Sequence, residues 1–213
     1  EGEQEKFDSL PAQYSHLYLC IAGELAAVIC IYDPLRAEAK DAIRALHACG
    51  ISKVIMMTGD NRRTAASVAE EVGVDEFYAE VLPEDKAAFI RREKAAGRTV
   101  IMIGDGVNDS PALSEADAGV AISTGAAIAR EIADITIASE DLFELVTLRK
   151  ISEALMGRIH RNYRFIVGFN LGLIVFGVAG LLPPTTSALL HNASTLAISL
   201  KSMTNLLPDK KKI

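Results

Sequence analysis

An α/β fold built on a parallel sheet with helices on both faces, followed by a hairpin of two apolar helices, is what this sequence predicts, and three observations predict it. A short apolar run, a polar glycine-containing loop and a helical stretch follow one another twice, over residues 53–72 and 99–116, and such alternation marks parallel strands joined by crossovers. Each loop puts carboxylates at the end of its apolar run, as Thr58-Gly59-Asp60 and as Gly104-Asp105-Gly106. Near the C-terminus, residues 163–182 carry a single charge, Arg164, and 187–207 form a second mostly apolar stretch, each long enough to cross a bilayer at about 20 residues per span.

The 213 residues suffice for one domain with a core plus a membrane segment. Half are hydrophobic while only 6% are aromatic, which points to a lipid-facing part. The net charge of -6 and the lack of a basic stripe outside two short clusters argue against a nucleic-acid partner. Cys20, Cys30 and Cys49 are odd in number and lack paired metal-type spacing, so they are expected to be reduced and mostly in the core. The first residue is glutamate and no leader precedes it, so the chain reads as a piece of a longer one.

Taken in order, residues 1–15 are polar, contain Pro11 and read as a linker. Residues 16–22 and 25–32 are β-rich and flank Gly23-Glu24, a turn pair suited to a hairpin. Residues 37–48 have helical spacing and stop at Gly50; 53–57 form a strand; 61–72 form a helix closed by Gly73. Pro83 opens a helix over 84–95 and puts Lys86 in its first turn, where the dipole disfavours a cation unless an anion is near. Residues 100–103 form a strand, and the loop behind it carries Asp105, Asn108 and Asp109 ahead of a short helix at 111–116. Strands follow at 118–122 and 134–138. A long amphipathic helix covers 141–160, with Leu142, Leu145, Val146, Leu148, Ile151, Leu155 and Ile159 near one face, and runs toward the first apolar span.

Two aspartates and an asparagine at a strand end suit a hard cation such as Mg²⁺, which takes oxygen ligands. Thr58 offers a hydroxyl and an amide to phosphate, and Gly59 lets the backbone approach it. Asp60 either caps the next helix or serves directly. In the last apolar stretch His191, Ser194 and Thr195 lie three and four residues apart, hence on one helix face. Polar groups at membrane depth are costly and mark function by default. Imidazole and oxygen suit Zn, Co, Ni, Mn or Fe better than Cu(I). The alternative is that the two hydroxyls bond back within the helix and His191 lies at the outer interface. Asn170 reads as an interhelical hydrogen bond, and Lys201 as a snorkelling group or one paired with a carboxylate from outside this chain. Arg158, His160, Arg161 and Arg164 before the first span, and Lys210, Lys211 and Lys212 after the second, put both outer ends on the cytoplasmic side, with the Pro183-Pro184 tip outward.

The string from Gly104 to Leu113, Gly-Asp-Gly-Val-Asn-Asp-Ser-Pro-Ala-Leu, resembles the hinge motif of the P-type cation-transporting ATPases, whose phosphorylation domain has the haloacid-dehalogenase fold. Thr58-Gly59-Asp60 is similar to that family's second phosphate-site motif, and Lys86, in Pro83-Glu84-Asp85-Lys86, to its phosphate-site lysine. His191-x-x-Ser194-Thr195 resembles the last-helix motif of the heavy-metal branch in subgroups associated with divalent ions; copper-type pumps have methionine where His191 falls. The resemblance covers residues 16–207. It implies a remnant of a nucleotide-binding domain at 1–32 returning near Asp33, a phosphorylation domain at 33–140, a connecting helix at 141–161, and a transmembrane hairpin with a basic tail at 162–213.

The resemblance also implies ATP as substrate, Mg²⁺ held by Asp105 and Asp109, Thr58, Gly59, Asp60, Lys86 and Asn108 around an aspartyl-phosphate, and a transition metal carried by His191, Ser194 and Thr195. The nucleophile motif Asp-Lys-Thr-Gly-Thr and the actuator's Thr-Gly-Glu are nowhere in the 213 residues, so the chain by itself is expected to be inactive. It needs either the remainder of its own polypeptide or a complementary chain. A non-catalytic half-chain that docks on or regulates a separate pump, and a membrane-anchored phosphatase of the same superfamily, are the alternatives. The expected setting is the cell membrane, with the soluble domain cytoplasmic.

Overall fold

Strands β1 (Ser15–Ile21) and β2 (Glu24–Ile31) pair antiparallel across a two-residue turn. The coordinates are a computed structural model that describes residues 10–11, 14–31, 34–105, 108–122, 131–139 and 141–207. Asp33, Gly106 and Lys210, Lys211 and Lys212, all named above, lie outside the described residues. The turn is Ala22-Gly23, with φ of 52° and 87°, which is one residue earlier than the expected Gly23-Glu24. Two successive left-handed residues give the hairpin turn whose twist matches its strands, and Glu24 then closes the ladder opposite Ile21. Cys20 and Cys30 are exposed on this ribbon and Cys49 is half-buried. The expectation of core cysteines therefore fails for Cys20 and Cys30, because a sheet of two strands buries neither face by itself.

Beyond the hairpin come α1 (Ala39–Ala48), β3 (Ile55–Met57), α2 (Arg62–Val72), β4 (Glu76–Tyr78), α3 (Pro83–Ala95), β5 (Ile101–Gly104), α4 (Ser110–Glu115), β6 (Ala118–Ile122) and β7 (Ile135–Ile137). All strand pairs among them are parallel, as the alternation requires, but the sheet is in two pieces, β3–β4 and β5–β6–β7. The strands that lead into the two polar loops, β3 and β5, are both edge strands.

An aspartate just ahead of a strand pins the N-terminal rim of each pair. The Asp75 carboxylate accepts from Val54 N (2.6 Å), Asp117 from Val100 N (2.8 Å) and Asp134 from Gly119 N (2.8 Å). Asp75 N and Asp117 N donate back to the Val54 and Val100 carbonyls at 2.9 and 3.0 Å. Each reciprocal pair fixes where a parallel ladder begins and so blocks a register slip. At Asp117 the Val100 N–H, and behind it the Lys94 ammonium, hold the carboxyl below its ordinary value of 3.8 against an opposing desolvation. A carboxyl depressed in the folded state contributes stability that is complete above its unfolded value and lost as pH falls through the folded one. Urea midpoints taken between about pH 2 and pH 6 should therefore drop in the parent on the acid side of about pH 4, and drop less steeply in Asp117→Asn.

The core that carries the second polar loop is a cluster of Ile90 from α3, Met102 from β5 and Ala112 and Leu113 from α4, with Val100, Ala116 and Ile132 against it. Gly119 belongs to the same packing: a Cβ there would meet the Leu113 carbonyl at 2.6 Å, so β6 runs against the end of α4 only because the side chain is missing.

The chain divides into two compact units, Glu1–Val146 and Thr147–Ile213. The second contains most of α5 (Phe143–Val178) and all of α6 (Pro184–Ser202). The amphipathic stretch at 141–160 and the apolar stretch behind it form one uninterrupted helix. It ends earlier than hydropathy suggested: Gly180 sits at φ 71°, Leu181 N bonds back to Phe176 O and Gly180 N to Gly177 O. This left-handed glycine stop leaves Leu181 and Leu182 outside the helix. Among the described residues no helix is long and apolar enough to cross a membrane. The two helices are antiparallel, tied by Asn162 Nδ2 to Ser202 Oγ (2.9 Å) and by His191 Nδ1 to Asn170 Oδ1 (2.8 Å).

Candidate active site

Three loops at the C-terminal ends of strands build the site. Behind β3, Thr58 Oγ1 donates to Asp60 Oδ2 at 2.7 Å and accepts from Asp60 N at 3.1 Å, a closed local turn. Asp60 does not cap α2. That role falls to Asn61, whose Oδ1 accepts from Thr64 N at 3.0 Å from an extended backbone (φ −63°, ψ 155°). The turn is bound to the loop behind β4, where Val81 N donates to Thr58 O (3.0 Å) and Glu80 N to Asp60 O (2.9 Å).

That second loop leads directly into α3, with Pro83 at the first helical position and Asp85 accepting from Leu82 N. Lys86 therefore starts within a turn of the loop that holds Thr58. Its ammonium reaches Asp109 Oδ1 at 2.7 Å, and both side chains are only 14% exposed. A cation in the first turn of a helix opposes the dipole; Asp109 offsets that penalty, as an approaching phosphate would. Asp109 stands at the cap position of α4, beside Gly104 at the end of β5. A Cβ on Gly104 would lie 2.6 Å from Asp109 Oδ2, so this carboxylate reaches the lysine by crossing a position that only glycine leaves open.

The structure thus links Thr58, Gly59 and Asp60 to Lys86 and Asp109 through contiguous loops. Asp105 and Asn108 flank them at the end of β5, exposed. Two carboxylates and an amide at one strand end, beside a lysine with donors to spare, match the oxygen ligands that Mg²⁺ takes together with phosphate. Sequence reasoning missed Gly104 and Asn61. The cap preference of Asn ahead of a helix was a usable signal for Asn61, whereas the need for Gly104 is visible only from the position of Asp109. Gly104→Ala should push Asp109 off Lys86, costing about 1–3 kcal/mol of stability and roughly tenfold or more in any phosphoryl transfer at this site; urea denaturation and phosphorylation assays check the two parts.

In the second unit the structure brings His191 to Asn170 rather than to Ser194 and Thr195. Those hydroxyls donate to the His191 carbonyl at 2.8 and 3.0 Å, the back-bonding alternative weighed above. A groove of about 710 Å³ lies along the pair, lined by Asn170, Leu173, Ile174, Ser187 and His191 among others.

A parallel α/β scaffold that gathers carboxylates, a threonine and a lysine at its strand ends defines a phosphate-handling hydrolase fold, and the haloacid dehalogenase-like hydrolase family matches residues 1–117. The chain belongs to that family. Its relatives are, more particularly, heavy-metal P-type ATPases. It is 46% identical over 83% of its length to a copper-transporting ATPase 2 of Rhizobium meliloti (strain 1021), covering 21% of that protein. It is 40% identical over 85% of its length to a manganese-exporting P-type ATPase of Mycobacterium bovis, covering 26% of it. The crystal structure of a zinc-transporting PIB-type ATPase in its E2.Pi state superposes with a TM-score of 0.80 at 30% identity, over 95% of this chain and 33% of that one. The chain spans about a quarter of the length of the curated relatives it matches.

Proposed function

We propose that this chain is the part of an ATP-driven transition-metal pump that holds the phosphate-binding half of a composite active site and a pair of helices on the cargo path. The observation that carries the reading is the shielded Lys86–Asp109 pair, 2.7 Å apart beside the Thr58 loop. A lysine held in a helix's first turn by a loop carboxylate is placed where a phosphoryl oxygen could share its remaining donors.

In this reading an aspartate carboxylate from outside these residues attacks the γ-phosphorus of ATP, ADP departs, and water later releases phosphate. The open edges of β3 and β5 are suited to receive the strand that bears it. Thr58 leaves Asp60 to donate its hydroxyl to a phosphoryl oxygen, with Gly59 giving backbone access. Lys86 keeps Asp109 on one N–H and turns another to phosphate. Asn108 orients the attacking water. Mg²⁺, held by Asp105 and Asp109, would neutralise charge on the phosphoryl group when bound.

The helix pair, neither described member of which is by itself long and apolar enough to cross a bilayer, is read as part of a membrane hairpin, in the cell membrane, with the site on the cytoplasmic side. In support, Leu171, Ile174, Phe176, Val178, Leu189, Leu196 and Leu200 are all at least half exposed, and clustered apolar exposure is a feature of membrane and protein contact surfaces. His191 is the cargo ligand this chain offers, and Ser194 and Thr195 join it by releasing the His191 carbonyl. Relatives named for copper, manganese and zinc leave several ions in contention; an imidazole with oxygen partners favours a divalent ion such as Zn, Co, Ni, Mn or Fe over Cu(I). Metal uptake into inside-out vesicles holding the complete polypeptide tests the reading. ATP-dependent accumulation of one such ion supports it, and no accumulation across the panel rejects it.

A further inference from the structure

One contact in the second unit is used neither by the phosphate site nor by the cargo ligand. The Arg158 guanidinium, on α5, closes over the C-terminal end of α6: Nη1 donates to Ser202 O at 2.8 Å and to Thr204 O at 2.6 Å, and Nη2 to Asn205 O at 2.9 Å. One helical turn further along α5, Asn162 reaches the Ser202 hydroxyl. The last carbonyls of a helix have no partners within it and carry the negative end of its dipole. In α6 the Leu200 and Lys201 carbonyls are taken by Met203 N and Thr204 N, so the carbonyl of the final helical residue and two beyond it are left to the arginine. α6 therefore has its C-cap supplied in trans, by a neighbouring helix.

We propose that Arg158 is a positioning residue that sets the axial register of α6 on α5 and thereby the place of His191; this rests on the cargo reading of His191 given above. The two cross-helix ties act at different heights on the same antiparallel pair, Arg158 and Asn162 at one end and Asn170–His191 nearer the other. Sliding α6 along α5 breaks the clamp and moves the imidazole off Asn170 together, so intermediate positions are disfavoured and the next packed register lies a full turn away, about 5.4 Å. The planar fork is what reaches several carbonyls at once. A lysine ammonium is a point donor on a flexible stem and holds one of them at a time.

Spin labels at Leu171→Cys and Leu189→Cys, both well-exposed positions, report the register in the complete polypeptide with Cys20, Cys30 and Cys49 replaced. The expected result is one narrow distance distribution in the parent, and in Arg158→Ala and Arg158→Lys a broadened or second population shifted by about a helical turn. The same two variants are expected to raise the metal concentration for half-maximal ATP hydrolysis about tenfold with maximal turnover within about twofold. A distance distribution that stays narrow and unshifted in Arg158→Lys overturns the clamp; a shifted distribution with unchanged half-saturation overturns its part in placing His191. If the parent hydrolyses ATP without regard to any metal, the pump reading is what fails, and the distance measurement still decides the register.

Discussion

Asp105→Ala in the complete polypeptide is expected to abolish phosphorylation by ATP, with the phosphoenzyme falling roughly a hundredfold or more. Asp105 is exposed and directly follows β5, at the strand end where the proposed Mg²⁺ would be held. Removing a ligand to Mg²⁺ takes away several kcal/mol of charge stabilisation at the phosphoryl group, and each ~1.4 kcal/mol is a factor of ten. The fold should barely respond, since the core behind the loop is Ile90, Met102, Ala112 and Leu113. Labelling with γ-phosphate-labelled ATP beside a urea denaturation curve separates the two effects. A variant that unfolds more easily and still labels would contradict the assignment.

The second large effect is expected at His191. His191→Ala should leave ATP binding within about twofold of the parent while lowering metal-stimulated hydrolysis about 10- to 100-fold, the scale seen when a metal's ligand environment is damaged. Nδ1 of the imidazole is engaged by Asn170 at 2.8 Å, so Nε2 is the nitrogen that would coordinate a metal in this reading. Titration with each divalent ion, with ATP binding measured in parallel, gives the result; an unchanged metal response removes His191 from the cargo path.

The parts of this fold that could be read in the sequence are those whose cause is local. The apolar run at 100–103 cut by Gly104-Asp105-Gly106, and the proline opening α3, announce a strand end and a helix start without help from the rest of the chain. What could not be read depends on distance or on a choice between near equals. Asp60 and Asn61 are both good caps, and only the backbone of Asn61 decides between them. The Ala22-Gly23 turn differs from Gly23-Glu24 by a left-handed alanine that no preference rule favours. The aspartates that pin the sheet rims act across 15 to 21 residues, and Arg158 meets its carbonyls 44 to 47 residues away. The end of α5 departs from the hydropathy pattern for a different reason: apolar residues continue through Leu182, while the glycine stop at Gly180 ends the helix by geometry.

Of the site, the sequence showed that Lys86 lies in the first turn of a helix, where a cation is disfavoured unless an anion is near, and the resemblance offered a phosphoryl group as that anion. That the anion is Asp109, and that Gly104 makes room for it, required the structure.

The most direct measurement is the chemistry of the phosphoryl group on the complete polypeptide, incubated with labelled ATP, Mg²⁺ and a panel of transition metals, quenched in acid and then treated with hydroxylamine. The expected result is acid-stable label whose level changes with one or more divalent metals and which hydroxylamine releases, as an acyl phosphate requires. Label that survives hydroxylamine, or that no metal alters, contradicts a metal pump working through an aspartyl-phosphate.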